Sequence, residues 1–405
     1  MSISGLLTYF DELPPYRALL DALAAKQPQP PLGMPDSARA ALLARLYQDH
    51  DGPVILLTGR VDRASSWQQA LESWLPAGMA ASRFPEPTPL PYDRGPWSER
   101  TRRKRLSVLS ALAAPQHPLI PETPNPPFVL MSARAFLQKT IPLRRFITST
   151  RVLRPGQILD MEKNLTAWQE IGYVPATVVE EAGHFSRRGG ILDIFPLSSQ
   201  YPVRIELFGD EIDTIRYFDP ATQRTVGDDF AASDGRVVIS PAREALPAAV
   251  QSYALAWGDD PAETVSAEGL PSWRDDLPFI QAGSAFPLLE YYLPYIYPQP
   301  GSILNYLSQD ALLVVDDWPD LETTVNELHD HADQIANEQP DLPPEYPSPL
   351  LPWAQVRDEL QWWQPLVLGD ELEGDVSANG REAGSISELA ASFEQGPRYG
   401  GQVRP

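Results

Sequence analysis

Alternate side chains of a β-strand face opposite sides. In the run Val203-Arg204-Ile205-Glu206-Leu207-Phe208, Val203, Ile205 and Leu207 give one apolar face suited to a core. Arg204, Glu206 and Phe208 share the other face. A charge pair beside a large aromatic on an open strand face suits a docking surface. The same residues also read as a half-buried hairpin whose outer Phe lies under a loop.

A second constellation could have handled a nucleotide. Gly59-Arg60-Val61-Asp62-Arg63-Ala64-Ser65-Ser66 follows an apolar run and precedes a helical one. A phosphate-binding loop of the form G-x-x-x-x-G-K-[ST] occupies such a place. Only Gly59 and Ser66 fit that frame, because Ala64 stands for the second Gly and Ser65 for the Lys. The Lys carries the charge that reaches the terminal phosphates, and the second Gly lets the backbone approach them. Losing both predicts no tight ATP binding and no ATP hydrolysis by this chain. Leu312-Leu313-Val314-Val315-Asp316-Asp317 resembles the strand that carries a Mg²⁺-binding carboxylate. An acidic pair after a buried strand is also common without any metal.

Three further groups have plainer readings. Arg100, Arg102, Arg103, Lys104 and Arg105 lie on a predicted helix. They suit a phosphate or nucleic-acid contact, a solvated face, or a basic face that docks an acidic one. His329-Asp330-His331 is no metal site, since alternate residues on a helix point about 200° apart. Tyr291, Tyr292, Tyr295 and Tyr297 could stack bases, but few cations accompany them, so they read as packing residues. No metal site is expected.

The elements that must position these groups follow from apolar periodicity. Tyr16 to Leu46 has helical spacing, broken at Gln27–Pro31. Pro53–Thr58, Phe128–Met131 and Ala311–Val315 read as buried strands, with helices over Trp67–Trp74, Glu99–Ala113 and Leu321–Ile335. Strand and helix in alternation predict an open α/β sheet. From Thr150 the pattern changes. Val152–Asp160 reads as a strand, Leu165–Ile171 as a short helix, and hairpin-like runs follow with Gly209-Asp210 as a turn. Val237–Pro241 returns the chain to the first unit. Beyond Asn337 the chain is Pro-rich, then acidic and Gly-rich over Gly369–Ser387, which reads as a linker.

Composition narrows the function classes. At 405 residues, two to three domains are expected. The 44 prolines cluster, as in ordered units joined by stiff connectors. There is no Cys, which excludes disulfides, thiolate metal sites and cysteine nucleophiles. A net charge of −22 opposes binding to a phosphate backbone and favours a protein partner. No apolar run is long enough for a membrane helix, and the first residues lack a secretory pattern. A cytoplasmic place and no membrane partner are expected.

The ordered words Arg188–Pro196 (RGGILDIFP), Arg204–Ile212 (RIELFGDEI) and Ile215–Pro220 (IRYFDP) resemble the domain shared by bacterial transcription-repair coupling factors and excinuclease B (UvrB). Leu90-Pro91-Tyr92-Asp93, the helix with Arg105, Leu106, Leu109 and Leu112, and Phe128–Lys139 resemble the coupling factors specifically. The resemblance covers about Pro53 to Leu328. It implies a degenerate helicase-like, P-loop NTPase-type parallel-sheet domain in two halves, 1–147 and 240–336. Between them lies an α+β partner-binding insertion, 148–239. Residues 337–405 would be a linker and the cut-off start of a further domain, so the chain reads as a piece of a longer protein.

The resemblance also implies a function. The insertion would bind excinuclease A (UvrA), bringing damage recognition to a stalled RNA polymerase. Arg188, Arg204, Glu206 and Phe208 are the candidate contacts, with Arg187 beside them. Excinuclease B carries an Arg where this chain has Ser186. ATP and Mg²⁺ would serve the motor of the full-length parent, an ATP-dependent DNA translocase, and no cofactor is expected for this chain. RNA polymerase and DNA would be met through the rest of that protein. The module could also dock on the motor and hold it inactive. The alternative is a nucleotide-dependent DNA strand-separating module like excinuclease B.

Overall fold

The computed structural model describes residues 3–117, 125–227, 235–255, 274–297, 299–339, 342, 346–369, 389 and 392–393. Its strands in chain order are β1 (Val54–Thr58), β2 (Ala81–Arg83), β3 (Phe128–Ser132), β4 (Arg151–Leu153), β5 (Val174–Pro175) and β6 (His184–Arg188). There follow β7 (Ile191–Ile194), β8 (Val203–Phe208), β9 (Glu211–Tyr217), β10 (Val237–Ile239), β11 (Leu312–Val315) and β12 (Leu366–Val367).

Five strands form a parallel sheet in the order β12-β11-β1-β3-β2. Every residue of β1, β3 and β11 is buried. That is why each reads as an unbroken apolar run: helices cover both faces, so alternation has no solvent side to mark. Ile55, Leu57, Val129 and Met131 pack into one core, with Leu106, Leu109 and Leu112 of the helix Glu99–Ala113. Val54, Leu56, Phe128 and Leu130 face the other way, onto the helices Asp36–Asp49 and Val61–Trp74. The α/β class expected from the sequence is therefore present.

The insertion leaves and re-enters through a two-stranded antiparallel ribbon in which Arg151, Val152 and Leu153 pair with Ile239, Val238 and Val237. Beyond it stands a five-stranded sheet ordered β5-β6-β7-β8-β9, antiparallel except for β5 on β6. The helix Met161–Glu170 is capped by the Asp160 carboxylate, which accepts from the Lys163 amide. It covers the inner face with Trp168, which is fully buried and meets Phe185 edge-on at 5.6 Å. The run Val152–Asp160, expected to be one strand, is a strand only to Leu153. Pro155 and Gly156 (φ 79°) break it, and Ile158 rejoins the sheet by a bridge to Glu211.

The region beyond residue 337 is corrected in part. Residues Trp353–Trp363 form a helix with Val356 and Leu360 buried, and Leu366–Val367 pairs with β11. A two-residue strand is too short to show periodicity, which is why the sequence reads as linker there. The acidic stretch Gly369–Ser387 (all but its first residue) and the terminal Arg398–Pro405 lie outside the described residues.

Candidate functional site

Strand pairing decides which side chains share a face, because directly opposed residues point the same way. On the outer face of the insertion sheet the first row is Ser186, Asp193, Arg204 and Arg216. The second is Arg188, Ile191, Glu206 and Thr214. The third is Phe208 and Glu211. The structure thus brings Arg188, Arg204, Glu206 and Phe208 onto one face. Val203 and Ile205 are buried on the other, as their alternation requires. Arg187 belongs to that opposite face, opposed to the buried Leu192, and its guanidinium pairs with Glu162 of the covering helix.

Two tight turns shape the rim. Gly189 (φ 61°) joins β6 to β7 and Gly209 (φ 62°) joins β8 to β9. Both are first central residues of two-residue loops, the place where a positive φ matches the twist of the strands. Phe208 stands at the second turn and is 85% exposed.

Arg204 is committed inside the fold. Its Nε and Nη2 donate to the two oxygens of Asp193, both at 2.8 Å, and Asp193 is itself buried. The ring of Phe218 lies 4.6 Å below the guanidinium. The hydrogen bonding to Asp193 raises the Arg204 pKa, against the desolvation that would lower it. A carboxylate from a partner must therefore compete with Asp193 for this arginine. Arg188 donates to the Thr177 carbonyl at 3.0 Å, and Glu206 accepts from the Thr214 hydroxyl at 3.2 Å. Arg216, directly opposite Arg204, is exposed and has no hydrogen bond or ion pair among the described residues. Like charges face each other there, and Asp193 makes that tolerable by neutralising one of them. Sequence reading passed over Arg216. The alternation of Ile215-Arg216-Tyr217 signals it, once the bulge opposite Glu206/Leu207 is allowed for.

The nucleotide frame lies at the carboxyl ends of β1 and β11, the crevice where open parallel sheets bind ligands. Its geometry is filled by protein. The helix Val61–Trp74 starts two residues after Gly59, so Ala64, Ser65 and Ser66 are helical rather than a loop. Ser65 and Ser66 hydroxyls donate to the carbonyls of Val61 and Asp62 in the same helix. A Cβ at Gly59 would stand 2.2 Å from the Asp320 carboxylate. Asp316 is 3% exposed and accepts from Arg63 Nε at 2.5 Å and Nη2 at 3.1 Å. Arg39 approaches the same carboxylate at 3.5 Å. Hydrogen bonding to Asp316 raises the Arg63 pKa. Asp317 is a helix cap, accepting from the Asp320 amide. The carboxylate that would hold Mg²⁺ is thus occupied by arginine, and a triphosphate would meet carboxylates. Titration with a fluorescent ATP analogue and Mg²⁺ is expected to show no saturable binding at millimolar concentration. Micromolar binding would mean that Arg63 releases Asp316.

The five cations of the basic helix do not share one patch: Arg100 is exposed beside Lys104, and the other three turn to protein groups. Arg105 is fully buried and donates to both oxygens of Glu244, at 2.6 and 3.1 Å. Arg102 donates to the Trp97 carbonyl, and burial lowers its pKa. Arg103 reaches across to the insertion, donating to the Ser199 carbonyl and stacking on Phe195 at 5.2 Å. Tyr292 and Tyr297 are buried, with hydroxyls on Asp276 and on the Glu244 carbonyl, which fits the packing reading of the tyrosines. Among the described residues no cluster of His, Asp and Glu could hold a metal ion. No described helix is long and apolar enough to cross a membrane.

An α/β frame carrying an inserted sheet with one charged and aromatic face is the class defined here, and residues 152–244 match the family model of the UvrB interaction domain. The match runs from the ribbon strand β4 through the inserted sheet and past β10 to Glu244, where the chain has re-entered the frame. Over most of its length the chain is similar to transcription-repair-coupling factors. It is 24% identical to that of Bacillus subtilis (strain 168) over 83% of this chain and 28% of the relative. It is 27% identical to that of Staphylococcus aureus (strain USA300) over 75% of this chain and 25% of the relative. Staphylococcus haemolyticus (strain JCSC1435) has one 25% identical over the same shares. The chain spans about a quarter of the length of the curated relatives it matches. The resemblance to the amino-terminal module of the coupling factors, read from the sequence, is borne out.

Proposed function

We propose that this chain is a non-catalytic recruiting module of a transcription-repair coupling factor, with excinuclease A as the partner of its inserted sheet. The observation that carries the proposal is the outer sheet face, on which Arg188, Glu206, Arg216 and the 85%-exposed Phe208 stand within the matched domain. An aromatic anchor ringed by charges is the composition of a protein-binding hot spot. The filled crevice supports a helicase-like frame that has lost its nucleotide. It opposes the strand-separating alternative, because both motif carboxylates serve the fold. In a longer protein, this module would deliver damage recognition to stalled RNA polymerase while other domains supply ATP-driven movement on DNA. The same face would suit docking on those domains.

Calorimetric titration of the chain with purified excinuclease A tests the reading. Binding at micromolar or tighter affinity is expected. No heat and no co-elution at tens of micromolar would overturn it.

A further inference from the structure

The outer face does not end at β9. The segment after the ribbon returns alongside it: the Leu159 amide donates to the Asp210 carbonyl at 2.7 Å, and the Ile212 amide to the Gln157 carbonyl at 2.9 Å. These two bonds flank the pair Ile158–Glu211, an isolated antiparallel bridge. In such a non-hydrogen-bonded pair the two side chains lie on one face and closer together than in the alternate pair. Glu211 is at the same time the cross-strand partner of Phe208. The third row of the face therefore reads Phe208, Glu211, Ile158. Leu159, the next residue, turns inward and is 1% exposed, which fixes Ile158 outward.

Ile158 is 70% exposed and Phe208 85%, the two most exposed large apolar residues among the described residues of the insertion. They stand one strand to either side of a carboxylate. Glu211 has no hydrogen bond or ion pair among the described residues, although Gly156 leaves room beside its Oε1.

We infer that Phe208, Glu211 and Ile158 form one ledge that seats a cationic side chain of the partner. The ammonium or guanidinium would meet Glu211, and the aliphatic stem would lie between the two apolar prongs. Arg and Lys stems pack on apolar surface in this way while the charged head finds a carboxylate. This rests on the recruiting reading and commits to the same partner, excinuclease A, because the ledge is continuous with the face proposed to bind it. It assigns the rim a polarity: Arg188 and Arg216 ask for acidic groups of the partner, and the ledge asks for a basic one.

The test is calorimetry of the 405-residue chain against purified excinuclease A, with Ile158→Ala, Ile158→Val and Glu211→Lys variants checked for an unchanged thermal midpoint. Ile158→Ala is expected to weaken binding about tenfold and Glu211→Lys more, while Ile158→Val stays within about threefold. The Glu211→Lys loss should fall as salt is raised. If the parent chain binds and Phe208→Ala weakens it, yet Ile158→Ala and Glu211→Lys bind like the parent, the ledge is overturned and the recruiting reading stands. If the parent chain does not bind, both fall.

Discussion

Arg105→Ala lowers the unfolding free energy by about 3–5 kcal/mol, the cost of leaving one member of a buried ion pair alone. Arg105 and Glu244 are 0% and 1% exposed at their side chains, so water cannot replace the lost guanidinium. Glu244 would keep the Thr140 hydroxyl as donor, which is too little for a carboxylate. The guanidinium also fills the space between Phe84, at 4.0 Å, and Trp97, at 5.1 Å, so truncation opens a cavity as well. Urea unfolding followed by circular dichroism checks the figure. Arg100→Ala, on the exposed side of the same helix, should change stability by less than about 0.5 kcal/mol. Arg105→Met combined with Glu244→Leu should recover much of the loss, because it removes both charges together. A small effect for Arg105→Ala would mean that Glu244 finds another partner.

The position of this pair explains why it matters. Glu244 and its neighbour Arg243 end the matched domain, where the chain returns to the α/β unit. Arg243 is held by Glu290 through two contacts of 2.6 Å and by the Phe286 carbonyl at 2.7 Å. Two consecutive residues of opposite charge are thus locked to opposite charges of the larger unit. These contacts fix the segment on which the chain re-enters the frame, and Arg103 on Phe195 and Ser199 holds the insertion itself against that frame. A recruiting face is more useful on a fixed arm, since binding then orders fewer groups.

The buried strands were legible because Val54–Leu57, Phe128–Met131 and Leu312–Val315 are apolar throughout. The outer face of β8 was legible because a strand has a period of two. The partners of these side chains were not legible. Nothing in the sequence pairs Arg105 with Glu244 or Arg204 with Asp193, since strand register and helix docking bring distant residues together. A run of five cations and one Thr in six residues resembled a surface patch. Helical geometry instead distributes Arg102, Arg103 and Arg105 among a backbone carbonyl, the insertion and a buried carboxylate. Ile158 carried no signal because it joins the sheet by a single bridge, after the break at Pro155 and Gly156.

Phe208→Ala and Arg204→Ala should both abolish partner binding in a simple assay, and for different reasons. Phe208 touches little of its own chain at 85% exposure, so its removal should leave the thermal midpoint unchanged. Its loss should weaken excinuclease A binding about a hundredfold, as expected of a central aromatic anchor and equivalent to about 2.7 kcal/mol. Arg204 is the sole described cation on a carboxylate that is 2% exposed. Arg204→Ala should therefore destabilise the insertion by about 2–3 kcal/mol before any partner is met. Asp193→Asn keeps the side-chain volume, frees Arg204 from its anion and separates the two roles. If Arg204 acts only by holding Asp193, Asp193→Asn/Arg204→Met should restore the midpoint and bind like the parent chain. If Arg204 also meets a partner carboxylate, that double variant should fold and still bind about tenfold more weakly. Calorimetry read beside thermal unfolding distinguishes the outcomes, and Arg216→Ala supplies the comparison. It should weaken binding without moving the midpoint, because the Arg216 side chain is exposed and has no hydrogen bond or ion pair among the described residues.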